Sequence, residues 1–162
     1  MKNTFVVSCP IDTFSGYGAR SRDFVKALIE LDEYEISIIP QRWGNTPENF
    51  IEQNKKEWGF LQKHLILGLQ SKPDIWCQVT VPNEFQPMGK YNIGLTAGME
   101  TTLVHSSWIE GCNRMDIILT SSQHSKTTFI NSQYKAKEGG HVLKVEKPIE
   151  VLFEGVNLDV YK

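Results

Sequence analysis

TFSGYGARSRDFVKAL, residues 13–28, follows the apolar run FVVSC at residues 5–9. That run is short, rich in β-branched side chains and uninterrupted, the pattern of a strand buried on both faces of a parallel sheet. Gly16 and Gly18 then admit backbone angles that other residues resist and let the chain approach a ligand closely. Beyond them Phe24, Leu28 and Leu31 recur at i, i+4 and i+7, with Val25 and Ala27 alongside, so a helix with one apolar face is expected from about Ala19. Arg20 and Arg22 fall in its first turn, where the helix end is already electropositive and each cation costs about 0.3–1 kcal/mol. A bound anion would offset that conflict. So would swinging both guanidinium groups into solvent or pairing them with Asp12 and Asp23.

Working outward, YEISIIP (34–40) alternates and ends at proline, giving a second strand. Residues 47–70 turn helical, with Phe50, Ile51, Trp58, Leu61, Leu65 and Leu69 as inward positions and Gly59 as a break. DIWCQVTVP (74–82) is a third strand that runs into the proline-rich PNEFQP. YNIGLTAG (91–98) and MDIILTSS (115–122) are the fourth and fifth, with a helix around HSSWIEGCNRM between them. Ser121 or Ser122 is placed to cap the next helix, SQHSKTTFINS. HVLKVE (141–146) and IEVLFEG (149–155) add two further short strands. The alternation predicts an α/β protein, a Rossmann-like three-layer α/β/α sandwich with a mostly parallel sheet. Ligands of such sheets bind beyond the carboxyl ends of the strands, which points to the loops SGYG, QRWGN, PNEF, AGMET and TSSQH.

Composition narrows the function classes. The 162 residues fit one domain, and 40% hydrophobic with 22% charged residues is an ordinary globular balance. A net charge of -2, from 17 basic and 19 acidic residues, lacks the basic footprint of a dedicated nucleic-acid binder, so no nucleic-acid partner is expected. Cys9, Cys77 and Cys112 are odd in number and far apart, with no cysteine–histidine cluster at zinc spacing. They read as free core thiols in a reducing, cytoplasmic setting, and no metal is expected. The apolar run in MKNTFVVSCP is too short for a signal peptide, and no segment approaches the roughly 20 apolar residues needed to span a bilayer. NKKEWGFLQKHLILGL, with Lys55, Lys56, Lys63 and Trp58, could touch a membrane, yet fits better as a core-facing helix with a solvated basic side.

Two nucleotide motifs fail. In the G-x-G-x-x-G fingerprint the third glycine is replaced by Ser21, and PQRWG stands where an acidic ribose ligand belongs, which argues against a nicotinamide cofactor. A P-loop is excluded because G-K-[ST] is missing.

Three stretches together resemble the N-terminal domain of the GT-B glycosyltransferases, the large retaining group that uses nucleotide-sugar donors. SGYGARSRDF is similar to that family's glycine-rich loop and first helix, and NRMDIILTSSQHSKTTF to its strand that ends in serine and enters a helix. IEVLFEGVNLDVYK resembles its P-x-G-V-D-x-x-x-F segment, with Glu154, Gly155, Val156, Asn157, Leu158, Asp159 and Tyr161 in the corresponding places. The resemblance covers nearly the whole chain and rests on the order and spacing of the three.

It implies an acceptor-side domain at residues 1–154, an interdomain link starting at 155–162, and a donor-binding domain outside this chain. The implied reaction moves a sugar from a nucleotide-sugar donor, a co-substrate and not a cofactor, to a sugar, lipid or protein acceptor. The present chain alone would then be inactive. Gly16, Tyr17 and Gly18 would face the donor pyrophosphate and sugar, with Arg20 lending charge to the leaving diphosphate. Trp43 and Asn83 on cleft-side loops, Thr101 and Ser122 complete the implied binding set. Glu100 in TAGMETT lies near a position where many members carry histidine, and it would orient an acceptor hydroxyl, act as a base, or cap a turn. Trp43 would stack on a sugar or pack beneath its loop. His105 and His124, near loop or helix starts, could bind phosphate or be incidental surface residues. A sugar-nucleotide epimerase of the same architecture and a non-catalytic binding module are the alternatives.

Overall fold

The structure is a computed structural model that describes residues 2–135, 139–156 and 158. Its elements run β1 (Asn3–Cys9), α1 (Gly16–Leu31), β2 (Tyr34–Pro40), α2 (Phe50–Gln53), α3 (Lys55–Trp58), a 3-10 segment (Gly59–His64) and β3 (Ile75–Val79). After a 3-10 turn at Pro82–Glu84 come β4 (Tyr91–Thr96), α4 (Ser106–Asn113), β5 (Ile117–Thr120) and α5 (Gln123–Asn131). β6 (Tyr134–Lys135), β7 (Val142–Leu143) and β8 (Ile149–Val151) follow. Six strands form one sheet in the order β2-β1-β3-β4-β5-β8, and every pairing within it is parallel. The fold is a Rossmann-like three-layer α/β/α sandwich.

The strand period of two divides the core. Phe5, Val7 and Cys9 point to one face, where they meet Val25 of α1, Ile51, Leu61 and the inward residues of β2 and β3. Val6 and Trp76 point to the other, against Ile109 and Cys112 of α4 and Phe129 of α5. Both faces of β1 are therefore covered, which is why its sequence is continuously apolar. All three cysteines are buried and unpaired.

Four expectations are corrected. Helix α1 begins at Gly16, not near Ala19, because the Ser15 hydroxyl accepts from the Gly18 N–H at 2.9 Å and caps it. The glycine stretch is thus the first helical turn, and Arg20 and Arg22 fall in the second turn instead of the first, where the electropositive helix end no longer sets a conflict for an anion to offset. Residues 47–70 do not form a long broken helix. Asn49 takes a left-handed φ of 71°, Asn54 and Gly59 interrupt the turns, and α2, α3 and the 3-10 segment fold over the α1 face. HVLKVE contributes only β7, which pairs antiparallel with β6 outside the main sheet. The strand in IEVLFEG is confined to β8, and the chain beyond it runs without regular structure through Val156.

Trp58, Leu61 and Leu65 pack into the core, while Leu67 and Phe60 are exposed. Among the described residues no helix is long and apolar enough to cross a membrane.

Candidate functional site at the carboxyl edge of the sheet

Parallel strands end on one edge, and the connections leaving β1 and β3 diverge there, so a crevice opens above them. Its volume is about 270 Å³, and it is lined by Gly16, Tyr17 and Arg20 of α1, Trp43, Leu95–Ala97 at the end of β4, Ser121 and Glu154. That is near the small end of ligand sites, which commonly measure roughly 300–1,000 Å³.

One wall is aromatic. Tyr17 and Trp43 stack with centroids 4.1 Å apart and planes inclined by 22°. Tyr17 is fixed further by its hydroxyl, which lies 3.1 Å from Thr96 Oγ1 and accepts from the Ala97 N–H at 3.1 Å. The Trp43 loop is lashed down from behind. Asp12 accepts from the Asn49 and Ile51 N–H groups at 3.2 and 2.8 Å, and Phe14 N–H donates to the Pro47 carbonyl at 3.0 Å.

The helix mouth has both closed and open parts. Ser15 satisfies the Gly18 N–H, whereas the Gly16 and Tyr17 N–H groups have no acceptor among the described residues. A Cβ on Gly16 would meet open space, while one on Gly18 would run into the Thr13 carbonyl and hydroxyl. Gly16 therefore faces the crevice, and Gly18 serves the packing of α1 on the preceding loop.

Neither arginine is left to an outside anion alone. Arg22 is buried, donating to the Ile11 and Thr13 carbonyls at 2.9 Å each, with its guanidinium 3.4 Å from the centroid of the Phe50 ring. Burial pulls its pKa down, and the Asp23 and Asp12 carboxylates act against that. Arg20 reaches the crevice wall, but it donates to the Leu152 carbonyl at 2.6 Å and the Phe153 carbonyl at 3.2 Å. Its Nε is buried without a hydrogen-bond partner, 3.8 Å from Glu154 Oε1. Solvent-facing arginines, or simple pairing with Asp12 and Asp23, do not describe this arrangement.

Of the sequence-derived candidates, Gly16, Tyr17, Arg20 and Trp43 come together in the crevice, with Gly18 packed just beneath. Ser122 caps α5, accepting from the Ser125 N–H at 3.1 Å, and leaves its neighbour Ser121 to line the crevice. Asn83, Thr101 and Glu100 lie outside the lining. The Asn83 carbonyl accepts from Arg114, the Thr101 hydroxyl donates to the Leu103 carbonyl, and Glu100 is exposed on the loop after β4. His105 caps α4 through its ring nitrogen, 3.2 Å from the Ser107 N–H, and His124 is exposed in the first turn of α5. Of the proposed linking segment, Asn157 and residues 159–162 lie outside the described residues.

Sequence reasoning did not single out Thr96, Ala97, Ser121 or Glu154 as site residues. Only the rule that ligands gather beyond strand ends pointed near the first three, and Glu154 entered only as the residue before Gly155 in the P-x-G-V-D-like segment, with no site role.

The cysteines do not line the crevice. Burial pushes the Cys9 and Cys112 thiols up to about 12 and raises Cys77 as well, so they remain protonated and weakly nucleophilic. Among the described residues no group of three or more His, Cys, Asp or Glu side chains is placed to hold a metal ion. No known protein family, curated protein or solved structure matches this chain.

Proposed function

We propose that this domain is the acceptor-side lobe of a GT-B glycosyltransferase that takes its sugar from a nucleotide-sugar donor. The observation that supports it is the crevice itself. A rigid aromatic wall, hydroxyl groups and an arginine–glutamate pair converge on the carboxyl edge of a parallel sheet, where the glycine-rich stretch had led us to expect a ligand.

In the proposed reaction the bond from the sugar's anomeric carbon to the diphosphate oxygen breaks with its electron pair leaving on the diphosphate, and one to an acceptor oxygen forms as that hydroxyl gives up its proton to the departing diphosphate. The Gly16 and Tyr17 N–H groups are the donors this lobe offers to oxygen in the crevice. Arg20 contributes less to the leaving diphosphate than its charge suggests, since two carbonyls and Glu154 already engage it. The donor is then held mainly by groups outside this domain. A reducing cytoplasm belongs to the same reading, supported by the buried free thiols.

A second reading, a binding module without catalysis, is favoured by one observation: Glu100, the carboxylate expected to act on the acceptor, lies outside the crevice lining. The two are separated by assaying the full-length gene product for release of nucleoside diphosphate from a panel of nucleotide sugars. Acceptor-dependent release is expected. Release that ignores the acceptor indicates epimerase-type chemistry, and no release from any donor, with sugar binding intact, leaves the binding module.

A further inference from the structure

Among the described residues, Arg20 and Glu154 are the charged side chains of the crevice lining, and they face one another. Arg20 is mostly buried, its side chain 14% exposed, and its fork grips the carbonyls of the two residues that precede Glu154. A planar guanidinium holding two carbonyls fixes the backbone path more tightly than a point charge does. Arg20 Nε stays 3.8 Å from the Glu154 carboxylate, beyond hydrogen-bond range, so the lone pairs of that half-exposed carboxylate remain available to a ligand.

We propose that the crevice binds an uncharged, polyhydroxylated ligand of about one sugar ring, with Glu154 accepting its hydroxyl hydrogens and Arg20 positioning Glu154. The proposal rests on the acceptor-side reading above and deepens it by naming the ligand class. Three features carry it. Among the described residues the lining carries one charge of each sign, so an entering anion gains little from Arg20 and is repelled by Glu154. Tyr17 and Trp43, which line the crevice stacked on one another, supply apolar surface for the C–H groups of a sugar ring. The remaining polar groups suit hydroxyls: the Gly16 and Tyr17 N–H groups donate, and Ser121, whose own hydrogen goes to the Ala97 carbonyl at 2.9 Å, still has oxygen lone pairs to accept with.

The test uses the 162-residue chain and follows binding by ligand-observed NMR with a panel of neutral methyl glycosides, and separately with inorganic pyrophosphate. At least one glycoside should saturate the site, and pyrophosphate should not compete with it. Glu154→Gln and Trp43→Ala should each weaken that glycoside by at least about tenfold, the scale of one charge-assisted hydrogen bond or one aromatic contact. Arg20→Lys keeps the charge but not the fork; it should lower the thermal unfolding midpoint, as the Leu152 and Phe153 carbonyls lose donors, and weaken glycoside binding at temperatures where the variant is still fully folded. Glu154→Gln should also let pyrophosphate bind.

Failure of every neutral glycoside to saturate, wild-type affinity in Glu154→Gln, or displacement of the glycoside by pyrophosphate from the unsubstituted chain would overturn the proposal. The last result would still leave a transferase, with this crevice on its donor side. Intact glycoside binding without acceptor-dependent release by the full-length product would instead remove the transferase reading and leave the ligand assignment standing.

Discussion

At the amino edge of the sheet, turns are tied by carboxylates. Asp74 accepts from the Thr4 N–H and hydroxyl at 2.9 and 3.0 Å and from Lys90 at 2.7 Å, and Asp116 accepts from the Asn92 N–H and side-chain amide at 2.7 and 3.0 Å. At the carboxyl edge, the Gly16 and Tyr17 N–H groups have no acceptor among the described residues, and a crevice stands above them. The difference follows from parallel topology. Every connecting helix that leaves the carboxyl edge presents its N-terminal donors there, so unspent hydrogen-bonding capacity collects on one side of the sheet.

Even on that edge two serine-capped helices behave differently. The mouth of α1 opens into the crevice, whereas that of α5 is filled: Ser125 donates to the Ala97 carbonyl at 3.0 Å, and a Cβ on Gly98, whose φ is 85°, would collide with the Ser125 side chain. Capping alone does not make a site; the packing around the cap decides.

The contrast between edges can be broken first at Arg22. Arg22→Met strands the Ile11 and Thr13 carbonyls and removes the cation from Phe50, so the carboxyl-edge scaffold should lose about 3 kcal/mol in urea unfolding. A loss near zero would mean that these carbonyls find water and that the loop does not depend on the guanidinium. Next, Gly18→Ala drives a methyl group against Thr13, for an expected loss of about 2 kcal/mol. Gly16→Ala, two residues away in open space, should change stability by less than about 0.5 kcal/mol. Equal effects from both would show that the α1 mouth is not divided into a packed side and an open side.

Removing a cap is smaller. Ser15→Ala and Ser122→Ala should each cost about 1 kcal/mol by chemical denaturation, since each deletes one hydrogen bond to a helix N–H. A silent Ser15→Ala would place the start of α1 later, near Ala19.

The mildest test lies at the amino edge. The Asp74 carboxyl is held at about 2, below its ordinary 3.8, first by Lys90 and then by the Thr4 N–H and hydroxyl. A carboxylate depressed in the folded state stabilises above its unfolded pKa and loses that contribution as pH falls through the folded value. The Asp74 contribution should therefore be full at neutral pH and disappear between about 3.8 and about 2. Asp74→Asn should flatten that part of the acid-unfolding profile. Superimposable profiles for the two proteins would show that this tie does not matter.

Much of the fold was legible because burial leaves a direct mark: a continuous apolar run where both faces are covered, as in β1, and alternation where one is, as in β2. FVVSC, YEISIIP and the apolar stretches in DIWCQVTVP, YNIGLTAG and MDIILTSS all hold strands of the parallel sheet. Residues 47–70 were not legible in the same way. Their apolar spacing satisfies a helix pattern, but Asn49, Asn54 and Gly59 break it into single turns whose inward residues reach the core by tertiary packing. HVLKVE alternates like a strand, and its partner proved to be a nearby residue pair and not the sheet.

The site was half visible. Gly16, Tyr17 and Arg20 announced themselves through a glycine-rich helix start that local rules disfavour. Glu154 could not, because its place opposite Arg20 joins residues 134 positions apart (154 − 20), and nothing in a local window encodes that contact.

The sequence by itself determined that strands and helices alternate, that β1 is covered on both faces and that two arginines lie early in α1, since periodicity is a local property of the chain. Only the tertiary structure decided what answers those cations. The Arg20 fork closes on the carbonyls of Leu152 and Phe153 and Arg22 on those of Ile11 and Thr13. Backbone acceptors carry no sequence signature, and they become available to a buried guanidinium only when distant segments are brought together.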